Sequence, residues 1–153
     1  MSLSVRYYLG AAELSALPVS EELLELGAAL ALNKTQLARA VGVSRPTLYE
    51  WLADNEPNLS KLDRLHTLLR ILRDEGVTAS EPLNARFVCQ APPDGEPSLL
   101  DLISDAELDE VRIASAIARA RDLTQAVARR RMEREQRLRA LGFEEQSAEQ
   151  RKE

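Results

Sequence analysis

The chain has 153 residues, a formal charge of −5, 44% hydrophobic and only 4% aromatic side chains, the scale of one modest domain or a small one with an appendage. A single cysteine, Cys89, excludes a disulfide framework or a cysteine-based zinc site, and a single histidine, His66, excludes most histidine-rich metal sites. No apolar run reaches the roughly 18 residues that a membrane span needs, and an acidic total speaks against indiscriminate coating of nucleic acid.

Ser20 ahead of Glu21 and Glu22 predicts a helix N-terminus, with Leu23, Leu26, Gly27 and Leu30 following at helical spacing. Asn33 with Gln36 three residues later is a capping-box start for a second, short helix over 34–40, which Gly42 ends. Ser44 is placed to cap a third helix over 45–53, and Pro46 is tolerated in its first turn, where the amides have no intrahelical acceptor. After a loop at 54–57, residues 59–75 form an amphipathic pattern with Leu62, Leu65, Leu68, Leu69 and Leu72 on one face, stopping at Gly76. Pro82, Pro92, Pro93, Gly95 and Pro97 exclude a long helix in 77–98, and 85–89 reads as a short strand or extended arm. A brief helix is expected over 98–103. Ser104 and Glu107 then form a second capping-box pattern, opening a helix to about Leu141 that at ~1.5 Å per residue exceeds the width of one small domain. The last dozen residues are polar.

The stretch from Thr35 to Leu52 carries the functional signal. Two short helices joined by a tight turn must cross closely, which asks for a small residue on the first, supplied by Ala38. The turn needs a residue free to take positive φ, supplied by Gly42. Leu37, Val41, Val43, Leu48 and Leu52 close the wedge, leaving Arg45, Pro46, Tyr49 and Glu50 on the outer face of the second helix and Ser44 and Thr47 at its exposed start. A helix presented in this way suits the roughly 12 Å wide major groove of duplex DNA, with its N-terminal residues nearest the base edges.

Leu37, Ala38, Gly42, Val43, Ser44, Leu48 and Trp51 stand where the helix-turn-helix of the Xre/Cro/CI repressor type has its pattern, and the segment from Pro57 to Leu62 leading into a leucine-rich helix is similar to the same family. The resemblance covers about residues 20–76. The chain departs from it at Lys34, where glutamine is usual, and at Leu52, Ala53 and Asp54, where a Glu-x-Gly is usual. The string from Gly42 to Tyr49 also resembles DNA-binding segments of recombinases and transposases. The resemblance implies a mainly all-α fold with a helix-turn-helix headpiece of four to five helices, a short extended arm and a long C-terminal helix. With the composition of the flanking segments, the chain divides into an N-terminal segment 1–19, the headpiece 20–76, a linker or arm 77–97, a helical dimerisation or partner region 98–141 and a polar tail 142–153.

On this reading Ser44, Arg45, Pro46, Thr47, Tyr49 and Glu50 meet bases, and Lys34, Thr35, Gln36, Arg39 and Lys61 meet phosphates. Trp51 belongs to the core, His66 is structural or solvent-exposed, and Cys89 is a small buried hydrophobe. The acidic residues Asp101, Asp105, Glu107, Asp109 and Glu110 lack the glycine-punctuated spacing of a calcium loop and read as a solvated helix start. Ile113, Ile117, Ala120, Thr124 and Val127 recur at spacings of four and three, a heptad-like stripe expected to pair two copies.

The charge is unevenly placed. Residues 77–111 hold eight acidic side chains and one basic, and 112–139 hold nine basic and three acidic. The basic run from Arg129 to Arg139 is expected either to pair with that acidic block or to reach flanking phosphates. The headpiece itself holds seven basic and nine acidic residues, so its phosphate contacts depend on local placement or on charge borrowed from elsewhere. The function expected is a cytoplasmic DNA-binding regulator, a repressor acting as a dimer on double-stranded DNA, with an antitoxin-like role and a toxin partner as a related reading. A non-DNA-binding adaptor and a DNA-targeting subunit of a recombination system are the alternatives. No nucleophile–base pair, metal cluster or phosphate loop is present in the pattern, so no enzyme activity, metal, cofactor or membrane contact is expected.

Overall fold

Pro18, two residues before the predicted cap, precedes the first helix, α1 (Val19–Ala29). Ser20 lies in its first turn and donates to Asp54 Oδ1 at 2.5 Å instead of capping the helix. The structure, a computed structural model, describes residues 18–54 and 62–142, and among these are seven helices and no strand. The chain divides into one unit up to Arg121 and a second from Asp122 onward.

The next two helices start and stop where their local chemistry says. In α2 (Lys34–Val41), Asn33 Oδ1 accepts from the Gln36 amide at 2.8 Å and Gln36 Oε1 accepts from the Asn33 amide at 3.0 Å, a complete capping box. Gly42, at φ 81°, ends it, with the Val43 amide reaching back to the Ala38 carbonyl at 3.0 Å. In α3 (Arg45–Leu52), Ser44 Oγ accepts from the Thr47 amide at 3.3 Å. The leucine-rich helix is α4 (Leu62–Asp74); the start expected for it at 59 lies outside the described residues. Leu23, Leu26 and Leu30 of the α1 segment, Leu37 and Val41 of α2, Leu48 and Trp51 of α3, and Leu65, Leu68 and Leu72 of α4 make up the interior of the headpiece.

Residues 77–97 depart from the expected arm. The segment 85–89 is helical, α5 (Ala85–Cys89), with Asn84 Oδ1 accepting from the Arg86 amide at 2.9 Å. A strand needs a neighbour for its backbone groups, and none is present among the described residues, so a local turn of helix satisfies them. Val77, Leu83 and Val88 are buried in the same core, and the Leu83 amide donates to the Ala29 carbonyl at 2.8 Å. The next helix, α6 (Leu99–Ser104), starts at Ser98 as expected, and buries Leu99, Leu102 and Ile103.

The predicted helix start at Ser104 is wrong. Ser104 is the last residue of α6, and the long helix, α7 (Glu110–Ala140), begins six residues later, with Asp109 Oδ1 accepting from the Arg112 amide at 3.2 Å. The reason is Arg64. Its guanidinium donates to the carbonyls of Ile103 at 2.6 Å, Ala106 at 3.2 Å and Asp105, while its Nε donates to the Ala40 carbonyl at the end of α2 at 2.6 Å. The Asp105 and Ala106 carbonyls accept from Arg64 where a helix opened at Ser104 would turn them to amides four residues on. Burial lowers the Arg64 pKa, and nearby Asp105 opposes the shift.

The stripe assigned to a dimer interface is also corrected. Ile113 and Ile117 are 0% exposed and Ala120 is 2% exposed within the single chain, so these three side chains complete its own core and are not free for a second copy. Thr124 and Val127, in the second unit, are half-buried. The acidic block pairs with Arg112, which meets Glu96 at 2.6 Å, with Arg119, which meets Asp94 at 3.4 Å, and with Arg70, which meets Glu110. Within the second unit, Arg129, Arg130, Arg131, Arg134 and Arg137 are exposed and make no ion pair with any of the described residues.

His66 has a structural role. Its Nε2 lies 2.9 Å from Oε2 of Glu22, a carboxylate only 2% exposed. Burial raises the Glu22 carboxyl above the usual carboxylate range, and the attraction of His66 offsets only part of that shift. A carboxyl raised in the fold stabilises it most below the unfolded value and progressively less as pH climbs through the folded value. His66→Leu should therefore cost about 1–3 kcal/mol at neutral pH, where Glu22 would be buried without its partner. The loss should fade toward acid, and thermal midpoints of both proteins between about pH 5 and about pH 8 should converge at the acidic end.

Ala31 gives a prediction of the opposite sign. It ends α1 at φ 54°, with the Leu32 amide on the Gly27 carbonyl at 2.8 Å. A left-handed alanine costs about 1–2 kcal/mol, of which glycine's extra chain entropy returns roughly half. Ala31→Gly should raise stability by about 0.5–1 kcal/mol in denaturant unfolding.

Candidate nucleic-acid interface

The exposed surface of the α2–turn–α3 unit is built by the same contacts that close its buried side. Leu48 at 0% and Trp51 at 3% exposure anchor α3 inward, as expected of Trp51. That orientation leaves Arg45, Pro46, Tyr49 and Glu50 exposed, with Ser44 exposed at the cap and Thr47 half-buried.

Arg45 and Tyr49 are one helical turn apart and act as a pair. Arg45 Nη2 donates to the Tyr49 hydroxyl at 3.2 Å, and the guanidinium carbon lies 5.9 Å from the centre of the Tyr49 ring. Both contacts restrict a long side chain without removing its charge. The Ser44 hydroxyl donates to Thr47 Oγ1 at 3.0 Å while accepting the Thr47 amide, so these two side chains hold the helix start. They retain oxygen lone pairs as acceptors. Glu50 is an exposed acceptor on the same helix, suited to a cytosine amino group and opposed to a phosphate.

The start of α2 forms the second part of the surface. Lys34 and Thr35 are exposed, and their backbone amides in the first turn have no acceptor among the described residues, the arrangement that makes a helix N-terminus attract an anion. Gln36 is half-buried. Its Oε1 is taken by the capping box, and its Nε2 donates to Cys89 Sγ at 3.6 Å, leaving one amide hydrogen for any further partner. Arg39 is exposed near the other end of α2. Lys61, the remaining expected phosphate contact, lies outside the described residues. Cys89 is exposed and so is not the buried hydrophobe expected of it; its neighbour Gln36 is 53 positions away in the sequence, a separation no local pattern signals.

This geometry is that of a helix-turn-helix: a capped first helix, a left-handed glycine, a second helix capped by serine and pinned by leucine and tryptophan, and a polar outer face. Residues 28–75 match the family model described as helix-turn-helix, so that segment is a helix-turn-helix of the Xre/Cro/CI type. The match supports a DNA-binding regulator of the Xre family, with DNA as its partner. No curated protein and no solved structure matches the chain. Among the described residues no helix is long and apolar enough to cross a membrane, and no group of His, Cys, Asp or Glu is placed to hold a metal ion.

Gly42 sets how α3 is presented. A Cβ there would sit 3.4 Å from Arg64 Cδ, on a backbone at φ 81°. Gly42→Ala should cost about 1–2 kcal/mol from the backbone alone. Gly76→Ala has a similar φ of 73° but open space around its Cβ, and serves as the reference. A larger drop in urea midpoint for Gly42→Ala than for Gly76→Ala would measure the contact with Arg64.

Proposed function

We propose that this protein is a sequence-specific transcription regulator that acts by occupying an operator, as a repressor in the cytoplasm. The observation that carries the reading is the Arg45–Tyr49 pair, exposed and restrained at the start of α3 in a segment that matches the helix-turn-helix family. An arginine held in this way is the donor best suited to the paired acceptors of a guanine edge, and Tyr49 offers a ring and a hydroxyl beside it. The phosphates on either side fall to Lys34, to the open amides at the start of α2 and to Arg39. Each headpiece reads a half-site, and two copies reading adjacent half-sites would give the operator its symmetry. With Ile113, Ile117 and Ala120 inside the chain's own core, the contact between copies falls to other surfaces, of which the second unit offers exposed Leu123, Met132 and Leu138. An antitoxin-like role finds no support in residues 77–111, whose Val77, Leu83, Val88, Leu99, Leu102 and Ile103 are buried at home.

Selection of bound sequences from a random duplex pool tests this directly, and the spacing of a recovered palindrome reports on the dimer. Arg45→Ala should relax preference at particular base positions, at a cost of about 1–3 kcal/mol on the selected site. Lys34→Ala should weaken all sequences alike. No enrichment of any duplex at low salt would instead favour an adaptor in which the motif serves only as a packing unit.

A further inference from the structure

The headpiece carries no excess of positive charge, yet phosphate neutralisation supplies much of the affinity of a duplex-binding protein. The described cations of the first unit sort by what they meet. Arg70, Arg112, Arg119 and Arg121 each approach a carboxylate, and Arg64 is taken up by carbonyls. Lys34, Arg39, Arg45, Arg73 and Arg86 have no carboxylate within ion-pair distance among the described residues. Three of these five are on α2 and α3. Arg73 is in the last turn of α4, where it complements that helix's own carbonyl end. Arg86 belongs to a helix of only five residues, whose end gives a cation little to complement, and it is outside the matched segment.

The position of Arg86 is set by α5. Gln36, part of the capping box at the start of α2, donates to Cys89 Sγ at 3.6 Å, which seats the end of α5 against the phosphate-attracting end of α2. Arg86 precedes Cys89 by three residues, so the two share a face of that helical turn. Its guanidinium carbon lies 5.6 Å from the centre of the Phe87 ring, and its Nε donates to Gln90 Oε1 at 3.4 Å. Neither partner neutralises it. The Gln36–Cys89 contact thus brings the helical turn that carries Arg86 to the end of α2 where Lys34 and the open first-turn amides lie.

We propose that Arg86 holds a backbone phosphate of the duplex flanking the bases that α3 reads, so that α5 extends the reader beyond its helix-turn-helix. This rests on the DNA-binding reading above. It assigns to a segment that resembles a linker in sequence the charge that the headpiece lacks.

The test uses the full chain on the duplex recovered by selection, with log affinity measured against log salt for wild type, Arg86→Gln, Arg86→Lys and Arg119→Gln. Loss of one phosphate contact should make the slope shallower by about 0.9 in Arg86→Gln. The operator and a random duplex should weaken by the same factor, and the selected sequence should not change. Arg86→Lys should keep the slope, as should Arg119→Gln, whose cation is paired with Asp94. An unchanged slope in Arg86→Gln, or a change in the selected sequence, overturns the proposal while leaving DNA binding intact. Failure of the wild type to bind any duplex removes the DNA-binding reading itself, and this proposal with it.

Discussion

A single guanidinium joins the parts of the first unit that sequence order keeps apart. Arg64 donates to the Ala40 carbonyl at the end of α2 and to the carbonyls of Ile103, Asp105 and Ala106 at the end of α6. The last carbonyls of a helix have no intrahelical donor, and a buried one left unpaired is costly, so a five-donor fork satisfies several at once. Its shaft also passes beside Gly42, the residue that turns the chain from α2 into α3. The angle of the reader helix, the closure of α6 and the break before α7 therefore share one side chain.

That clamp explains why residues 77–111 do not behave as an appendage. With α6 held to the end of α2, Leu99, Leu102 and Ile103 enter the headpiece core, and Val77, Leu83 and Val88 follow along the connecting chain. The first turns of α7 complete the same core with Ile113, Ile117 and Ala120. The acidic side chains of this stretch then fall at its rim and meet Arg70, Arg112 and Arg119. Such exposed pairs add little stability each. Their larger consequence is to set acidic and basic charge against one another away from α2 and α3, where Lys34, Arg39 and Arg45 have no carboxylate within ion-pair distance among the described residues. A net charge of −5 thus coexists with three exposed cations on α2 and α3.

Much of the reader was legible without coordinates. The capping box at Asn33 and Gln36, the glycine at 42, the serine cap at 44 and the inward Trp51 all involve partners within a few residues, and local spacing reports such partners faithfully. The outer face of α3 followed from that inner one. The missed elements involve distant partners. Ser104 with Glu107 has the spacing of a cap, but Arg64, about forty positions earlier, takes the carbonyls that follow. The heptad-like stripe on α7 is a true apolar stripe, and periodicity cannot say whether its partner is a second copy or the same chain.

The order of residues was enough to specify the two helices of the helix-turn-helix, their caps, the turn at Gly42 and which side of α3 faces outward, because each is settled by interactions within one or two turns. The tertiary structure alone decided that Glu22 is buried against His66, that Ile113 and Ile117 close the headpiece, and that Cys89 brings α5 to Gln36. Those contacts join residues more than forty positions apart or choose between equivalent apolar partners. Only the simultaneous packing of all the helices makes that choice, since burying one leucine face determines which others remain to be covered.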